Sequence, residues 1–243
     1  MIDILEDWIV NSVPEGQEFK TAPQLIQKVD PEGRILPFRG ITVVFRLPSD
    51  VIQYLSFIQD RLYETCGHLL AERLNPDSFH MTLHDIAAAP PCEQIETDIA
   101  YYQPRVCDAL NRLKRSLRPI FSEYSSALEA SKLTFLGQGL IPVQGTHLFN
   151  MCHTSIVLGV DADDPYSDLL CTFRKRFDQF HDQGTSWTPH ITLAYFKPKD
   201  EPYTEEELRP LREALTKEDI LFNLHLSDLE VQSSTDMNHY ETL

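Results

Sequence analysis

Two short stretches of the chain carry the same combination of an imidazole and a hydroxyl. The sequence reads His80-Met81-Thr82-Leu83 in its first half and His190-Ile191-Thr192-Leu193 in its second half. Because side chains alternate along a β-strand, the histidine and the threonine of each copy would point to one face and the apolar residues to the other. Each copy is therefore predicted to have a chemical face and a core face.

Histidines paired in this way are suited to displacement at phosphorus. In-line attack needs a base beside the incoming oxygen and an acid beside the leaving oxygen, and two imidazoles on opposite sides of a phosphoryl group supply both. An unperturbed imidazole titrates at about pH 6.5, so a neutral and a protonated ring can coexist near neutrality. Thr82 and Thr192 would donate hydrogen bonds to the non-bridging oxygens. The motifs predict acid–base catalysis by His80 and His190 with no metal or other cofactor.

A coarse order of elements runs through the chain twice, and the two motifs occupy the same place in it. The first half is predicted to contain strands at 41–45, 79–86 and 127–136 and helices at 51–69 and 104–121. The second half is predicted to contain strands at 155–160, 190–196 and 221–231 and helices at 165–180 and 204–215. Thr204 and Glu207 form a capping box for the last helix.

This order predicts an α+β fold built as a bilobal, pseudo-twofold duplication. Two antiparallel sheets would line a central groove, with the helices outside. We expect residues 40–243 to form this single domain. Residues 1–39 are rich in proline and turn signals and are expected to form an N-terminal arm packed on the domain.

Composition excludes several classes of function. Lys and Arg number 21 against 37 Asp and Glu, a formal net charge of −16, which disfavours a long nucleic acid as partner. No apolar stretch approaches the roughly 18 residues of a membrane span, and Asp3, Glu6 and Asp7 stand where an export signal would carry positive charge. The five cysteines form no C-x-x-C pair. We therefore expect a cytoplasmic monomer that binds a small ligand.

Further side chains near the motifs are candidates for substrate binding. His84 lies two residues past Thr82 and would share the face of His80 on a regular strand. Basic side chains could balance a phosphate, and aromatic rings could stack on a base. The candidate set is His84, Tyr195, Trp187, Arg46 and Lys132.

The paired motifs in a duplicated α+β chain resemble the two-histidine (2H) phosphoesterase superfamily. That group includes the bacterial 2′-5′ RNA ligase and cyclic phosphodiesterase proteins, and the likeness covers roughly residues 40–234. The lead-in at 30–44 and the Ser78-Phe79 that precedes the first motif further resemble a branch filed as a domain of unknown function. The resemblance implies that His80, Thr82, His190 and Thr192 are catalytic, with His80 as acid and His190 as base in ring opening. It implies a small phosphodiester or nucleotide as substrate, with RNA termini as a further candidate.

Two alternatives remain open from the sequence. A metal-dependent phosphohydrolase could use His80, His84, Asp85 and His190 as ligands if the first motif were helical. A non-catalytic nucleotide sensor could use the same groove only to bind. Activity in excess chelator separates the first alternative from acid–base catalysis, and turnover separates the second.

Overall fold

The computed structural model describes residues 16–125, 137–151, 154–184, 187–215 and 219–243. The predicted strand at 127–136 lies outside them. The described strands are β1 (Arg39–Arg46), β2 (His80–Ala89), β3 (Leu140–Met151), β4 (Ser155–Asp161), β5 (His190–Tyr195), β6 (Ile220–His225), β7 (Leu229–Asp236) and β8 (His239–Thr242). The described helices are α1 (Ser49–Cys66), α2 (Glu93–Ser125), α3 (Tyr166–Lys175) and α4 (Glu205–Ala214). Short 3₁₀ turns occur at Pro23–Gln27, Pro76–Ser78 and Leu226–Asp228.

The predicted α+β class is confirmed, but the strands form one sheet and not two. All eight described strands join in the order β6-β3-β4-β5-β2-β1-β7-β8, and the paired strands run antiparallel. The expectation of two sheets fails at one point, where β2 and β5 pair through Met81 and Ile191. The two motif-bearing strands are therefore neighbours at the centre of a continuous sheet.

The connection from β6 to β7 shows that this sheet is strongly curved. β6 stands first and β7 seventh in the sheet order, which in a flat sheet would separate them by about 29 Å at about 4.8 Å per strand. Only the turn Leu226–Asp228 joins them, and a link of that length reaches about 15 Å. The sheet must curl to bring these strands together. This turn also divides the single strand predicted at 221–231.

Helices pack against the sheet with the apolar faces that the sequence predicts. α1 buries a stripe at helical spacing: Val51, Leu55, Ile58, Leu62 and Cys66. α4 begins with the predicted capping box of Thr204 and Glu207. α2 starts at Glu93, well before the predicted start at 104, and continues through Pro104. Within the described residues, no helix combines the length and apolar content needed to cross a bilayer.

Residues 16–38 lie along the rest of the chain through backbone and side-chain contacts. Phe19 and Tyr203 exchange two backbone hydrogen bonds of 3.1 and 2.7 Å. Leu25, Val29 and Phe38 are buried in the common core. This segment therefore has a defined path up to the start of β1.

Candidate active site

The two motifs place their polar side chains on one face of the join between β2 and β5. Met81 and Ile191 pair across the join and are fully buried. Because neighbours along a strand point to opposite faces, the residues on either side of this pair face away from the core. The antiparallel register sets each histidine opposite the threonine of the other motif. All four line one cavity of about 760 Å³: His80, Thr82, His190 and Thr192.

The two histidines are held by identical backbone contacts. Nδ1 of His80 lies 2.8 Å from the carbonyl oxygen of Ser78, and Nδ1 of His190 lies 2.8 Å from the carbonyl oxygen of Thr188. A carbonyl oxygen only accepts, so each Nδ1 carries a proton and donates it. A proton exchanged with a substrate would therefore have to pass through Nε2 of each ring.

Burial and a nearby carboxylate act in opposite directions on the two imidazoles. Burial lowers the pKa of His80 and of His190 below the usual value, because it disfavours the charged ring. The carboxylate of Asp85 opposes this by favouring the charged form of both rings, as do the carbonyl groups that their Nδ1 atoms contact. Burial therefore favours the neutral imidazole that a catalytic base requires. Asp85 favours the protonated imidazole that a catalytic acid requires.

A β-bulge follows the threonine of each motif. Val44 of β1 pairs with Thr82, and Val43, the residue before it, pairs with His84, so Leu83 is an extra residue in β2. In the same way, Ile156 and Val157 pair with Ala194 and Thr192, which leaves Leu193 as an extra residue in β5. Each bulge shifts the alternation of side chains by one position beyond the motif.

Side chains donate hydrogen bonds to backbone carbonyl groups at both bulges. Nε2 of the buried Gln59 lies 2.8 Å from the carbonyl oxygen of Leu193. The hydroxyl of Thr42 lies 3.1 Å from the carbonyl oxygen of His84 and 3.0 Å from Oδ1 of Asp85, and can donate to either. Because a buried carbonyl without a partner is costly, these contacts stabilise the irregular strands beside the histidines.

The prediction that His84 shares the face of His80 is wrong, and the bulge at Leu83 is the reason. His84 is fully buried, with Nε2 at 3.1 Å from Oδ1 of Asp178 and Nδ1 at 2.8 Å from the carbonyl oxygen of Asp85. Asp85 takes the cavity position instead. The proposed metal set of His80, His84, Asp85 and His190 is not brought together, since His84 faces Asp178. Among the described residues, no group of three His, Cys, Asp or Glu side chains could hold a metal ion.

The other residues predicted to bind substrate differ in whether they line the cavity. Tyr195, which follows the second bulge as Asp85 follows the first, lines the cavity, and so does Trp187. Arg46 does not line it. Its side chain is 60% exposed and pairs with Glu230 at 3.2 Å and Asp228 at 3.7 Å, so its charge is already balanced outside the cavity. Lys132 lies outside the described residues.

Several cavity residues were missed by sequence reasoning. Asp85 was considered only as a metal ligand, because the bulge that exposes it has no signal in the alternation of residues. The ring of Tyr240 packs edge-on against His80 with centroids 4.7 Å apart, although the two are far apart in the chain. Lys28 reaches the cavity from the segment before β1. No periodic pattern in the sequence marks either residue.

Replacing Asp85 by asparagine is expected to shift the pH dependence of any reaction that uses both histidines. The carboxylate raises the pKa of both rings, so its loss lowers both pKa values. Both limbs of the profile of kcat/KM should therefore move to lower pH. Asparagine keeps the acceptor for the Thr42 hydroxyl. Asp98→Asn is the control, because Asp98 also lines the cavity but is not among the charges acting on either ring; unshifted limbs in Asp85→Asn would contradict the assignment.

The fold and this cavity define an α+β protein with a pair of histidines on adjacent central strands. No protein-family model and no curated protein matches the chain. Among solved structures, the chain is similar to the conserved protein of unknown function ATU0111 from Agrobacterium tumefaciens, with 20% identity, 92% of each chain covered and a TM-score of 0.55. This likeness shows a shared fold.

Further solved structures match the chain with lower TM-scores. TT0787 of Thermus thermophilus matches with 13% identity, a TM-score of 0.44, and coverage of 84% of this chain and 94% of its own. The LigT protein of Escherichia coli, complexed with NADP+, matches with 9% identity, a TM-score of 0.37, and coverage of 85% and 95%. A phosphoesterase structure is also among the matches.

Proposed function

We propose that the protein is a metal-independent phosphodiesterase of the 2H phosphoesterase type that acts on a 2′,3′-cyclic phosphate or a related small nucleotide phosphodiester. The observation that carries the proposal is the pair of motifs across the join of β2 and β5. Both imidazoles have Nδ1 occupied by a backbone carbonyl, and both line the same cavity with a threonine hydroxyl opposite. Such a pair supplies a base and an acid to one phosphorus centre.

Ring opening then proceeds by in-line attack of water. Nε2 of neutral His190 takes a proton from the attacking water as the new P–O bond forms. Nε2–H of protonated His80 gives its proton to the departing ribose oxygen as the old P–O bond breaks. The hydroxyls of Thr82 and Thr192 donate to the non-bridging oxygens, where charge increases in the transition state. The product is a phosphate monoester, and a proton passed from His190 to His80 through solvent restores the starting state.

Two repeated features support an origin of this site by duplication. From the central join, the sheet order is β2 then β1 on one side and β5 then β4 on the other. Both motif strands carry a bulge at the leucine that ends the motif. A pseudo-twofold relation between the halves would place the two histidines on opposite sides of one phosphorus centre, as in-line acid–base catalysis requires.

The direct test incubates the purified full chain with a pool of 2′,3′-cyclic nucleotides and linear phosphodiesters from pH 5 to 8 in excess EDTA. We expect monoester products, detected by ³¹P NMR, and a bell-shaped pH profile from one neutral and one protonated histidine. Turnover that disappears with EDTA and returns with a divalent cation would identify a metal-dependent enzyme. Tight binding of a cyclic nucleotide without turnover of any compound would identify a sensor.

A further inference from the structure

Lys28 brings a positive charge to the cavity from outside the sheet. It directly follows the 3₁₀ turn Pro23–Gln27, and its side chain lines the same cavity as His190 and Thr192. Its ammonium nitrogen lies 5.0 Å from the ring centroid of Phe38 and 5.8 Å from that of Tyr195. These distances fit cation–π contacts, which hold a cation near a ring face without neutralising it.

No carboxylate balances this charge within the part of the chain that the structure describes. The ion pairs there involve other basic side chains, such as Arg39 with Glu96 and Lys199 with Glu207. On a chain with a net charge of −16, a lysine that contacts rings rather than acids is placed for another anion. An ammonium group binds phosphate oxygens as a point charge.

The backbone around Lys28 is fixed, so its side chain starts from a defined point. Its amide donates to the carbonyl of Leu25 at 2.9 Å, and its carbonyl accepts from the amide of Leu36 at 2.8 Å. The next residue, Val29, is fully buried. Because the attachment point is held, less conformational entropy is lost when the ammonium group binds a ligand.

Lys28 stands on the His190 side of the site. Tyr195, one of the two rings beneath its ammonium group, belongs to β5 together with His190. Among the described residues, the charged side chains found to act on His190 are Asp85 from β2 and Lys28 from the segment before β1, and Lys28 lowers the pKa of that ring. Among the described residues, Asp85, Glu230 and His190 are the charged or titratable side chains found to act on His80.

We propose that Lys28 binds a non-bridging phosphate oxygen of the substrate on the His190 side and thereby makes the two histidines unequal, with His190 the base and His80 the acid. This inference rests on the proposed function and extends it to a further substrate-binding residue. The ammonium group compensates the charge of the phosphodiester and disfavours a second positive charge on His190. Among the described residues, the charges found to act on His80 include no lysine or arginine, and Asp85 favours its protonated form.

The variant Lys28→Met tests the inference, since methionine keeps much of the alkyl stem against the two rings but loses the charge. For 2′,3′-cyclic AMP, KM should rise roughly 10- to 100-fold, as for loss of a charge-assisted hydrogen bond. The ascending limb of kcat/KM against pH should move to higher pH, because loss of the Lys28 charge raises the pKa of His190. The descending limb should stay in place.

Two further variants and a binding measurement make the result decisive. Lys28→Arg should restore KM and the ascending limb, and Lys20→Met, a change at an exposed lysine of the same segment, should leave both as in the wild type. Unchanged KM and limbs in Lys28→Met, with a wild-type melting temperature, would overturn the inference. If the wild type turns over no phosphodiester, the proposed function fails, but calorimetry with inorganic phosphate still tests Lys28. Phosphate binding that is lost in Lys28→Met and kept in Lys28→Arg would support the inference. Equal phosphate binding by the wild type and Lys28→Met would overturn it.

Discussion

Replacing His80 or His190 by asparagine should lower kcat/KM for a 2′,3′-cyclic nucleotide on the order of 10²- to 10⁴-fold. The amide nitrogen of asparagine can take the place of Nδ1 and donate to the carbonyl of Ser78 or Thr188. The variant then lacks only the titrating Nε2, so the expected loss reflects catalysis and not a change of fold. The double variant should lose little more than either single variant, because the two rings act as a unit.

The pH profiles of the two single variants separate the two roles. Removal of the base should abolish the ascending limb, and removal of the acid should abolish the descending limb. We expect the first outcome for His190→Asn and the second for His80→Asn. His239→Asn is the control, because that ring is 74% exposed and contacts Asp236. Wild-type turnover in either active-site variant would rule out the histidine pair as the catalytic groups.

Replacing Thr82 or Thr192 by valine should lower kcat on the order of 10- to 100-fold with a smaller effect on KM. The hydroxyl donates to oxygens that gain charge as the transition state forms, so its loss affects the transition state more than the bound substrate. Valine has the same branched shape and suits a β-strand equally well, which protects the join of β2 and β5.

Serine variants supply the matched comparison for the threonine prediction. Thr82→Ser and Thr192→Ser keep the donor and lose only a methyl group, so kcat should stay within a few-fold of the wild type. If serine and valine at the same position reduce kcat equally, the threonine contributes packing and does not contact the phosphate. Thermal unfolding of all four variants checks that the strands remain intact.

The sequence predicted the main elements that carry the site because their signals are local. The alternation of side chains predicted that His80 and Thr82 share one face of a strand, and that His190 and Thr192 do the same. In the structure all four side chains line one cavity. The capping box of α4 and the apolar stripe of α1 depend only on residues within a few turns of one another. The curvature of the sheet has no such local signal, because it follows from the pairing of β6 and β7 with strands far away in the chain.

The bulges show where the local pattern stops being sufficient. His84 was predicted on the cavity face because a regular strand would place it there, whereas the extra residue Leu83 turns it toward Asp178 and presents Asp85. A bulge depends on the partner strand and on donors such as Thr42, which alternation along β2 cannot reveal. Arg46 was likewise expected near the phosphate, but Asp228 and Glu230 pair with it elsewhere.

The sequence by itself determined the chemistry of the site: two imidazoles, two hydroxyls and the strand alternation that joins each pair on a face. Only the tertiary structure decided that the two pairs meet, that Asp85 replaces His84 beside them, and that Lys28 adds a cation from the segment before β1. The reason is physical. In a regular strand, alternation along the chain sets the face on which each side chain lies. The approach of separate strands and segments is set by hydrogen bonds and packing between residues far apart in sequence.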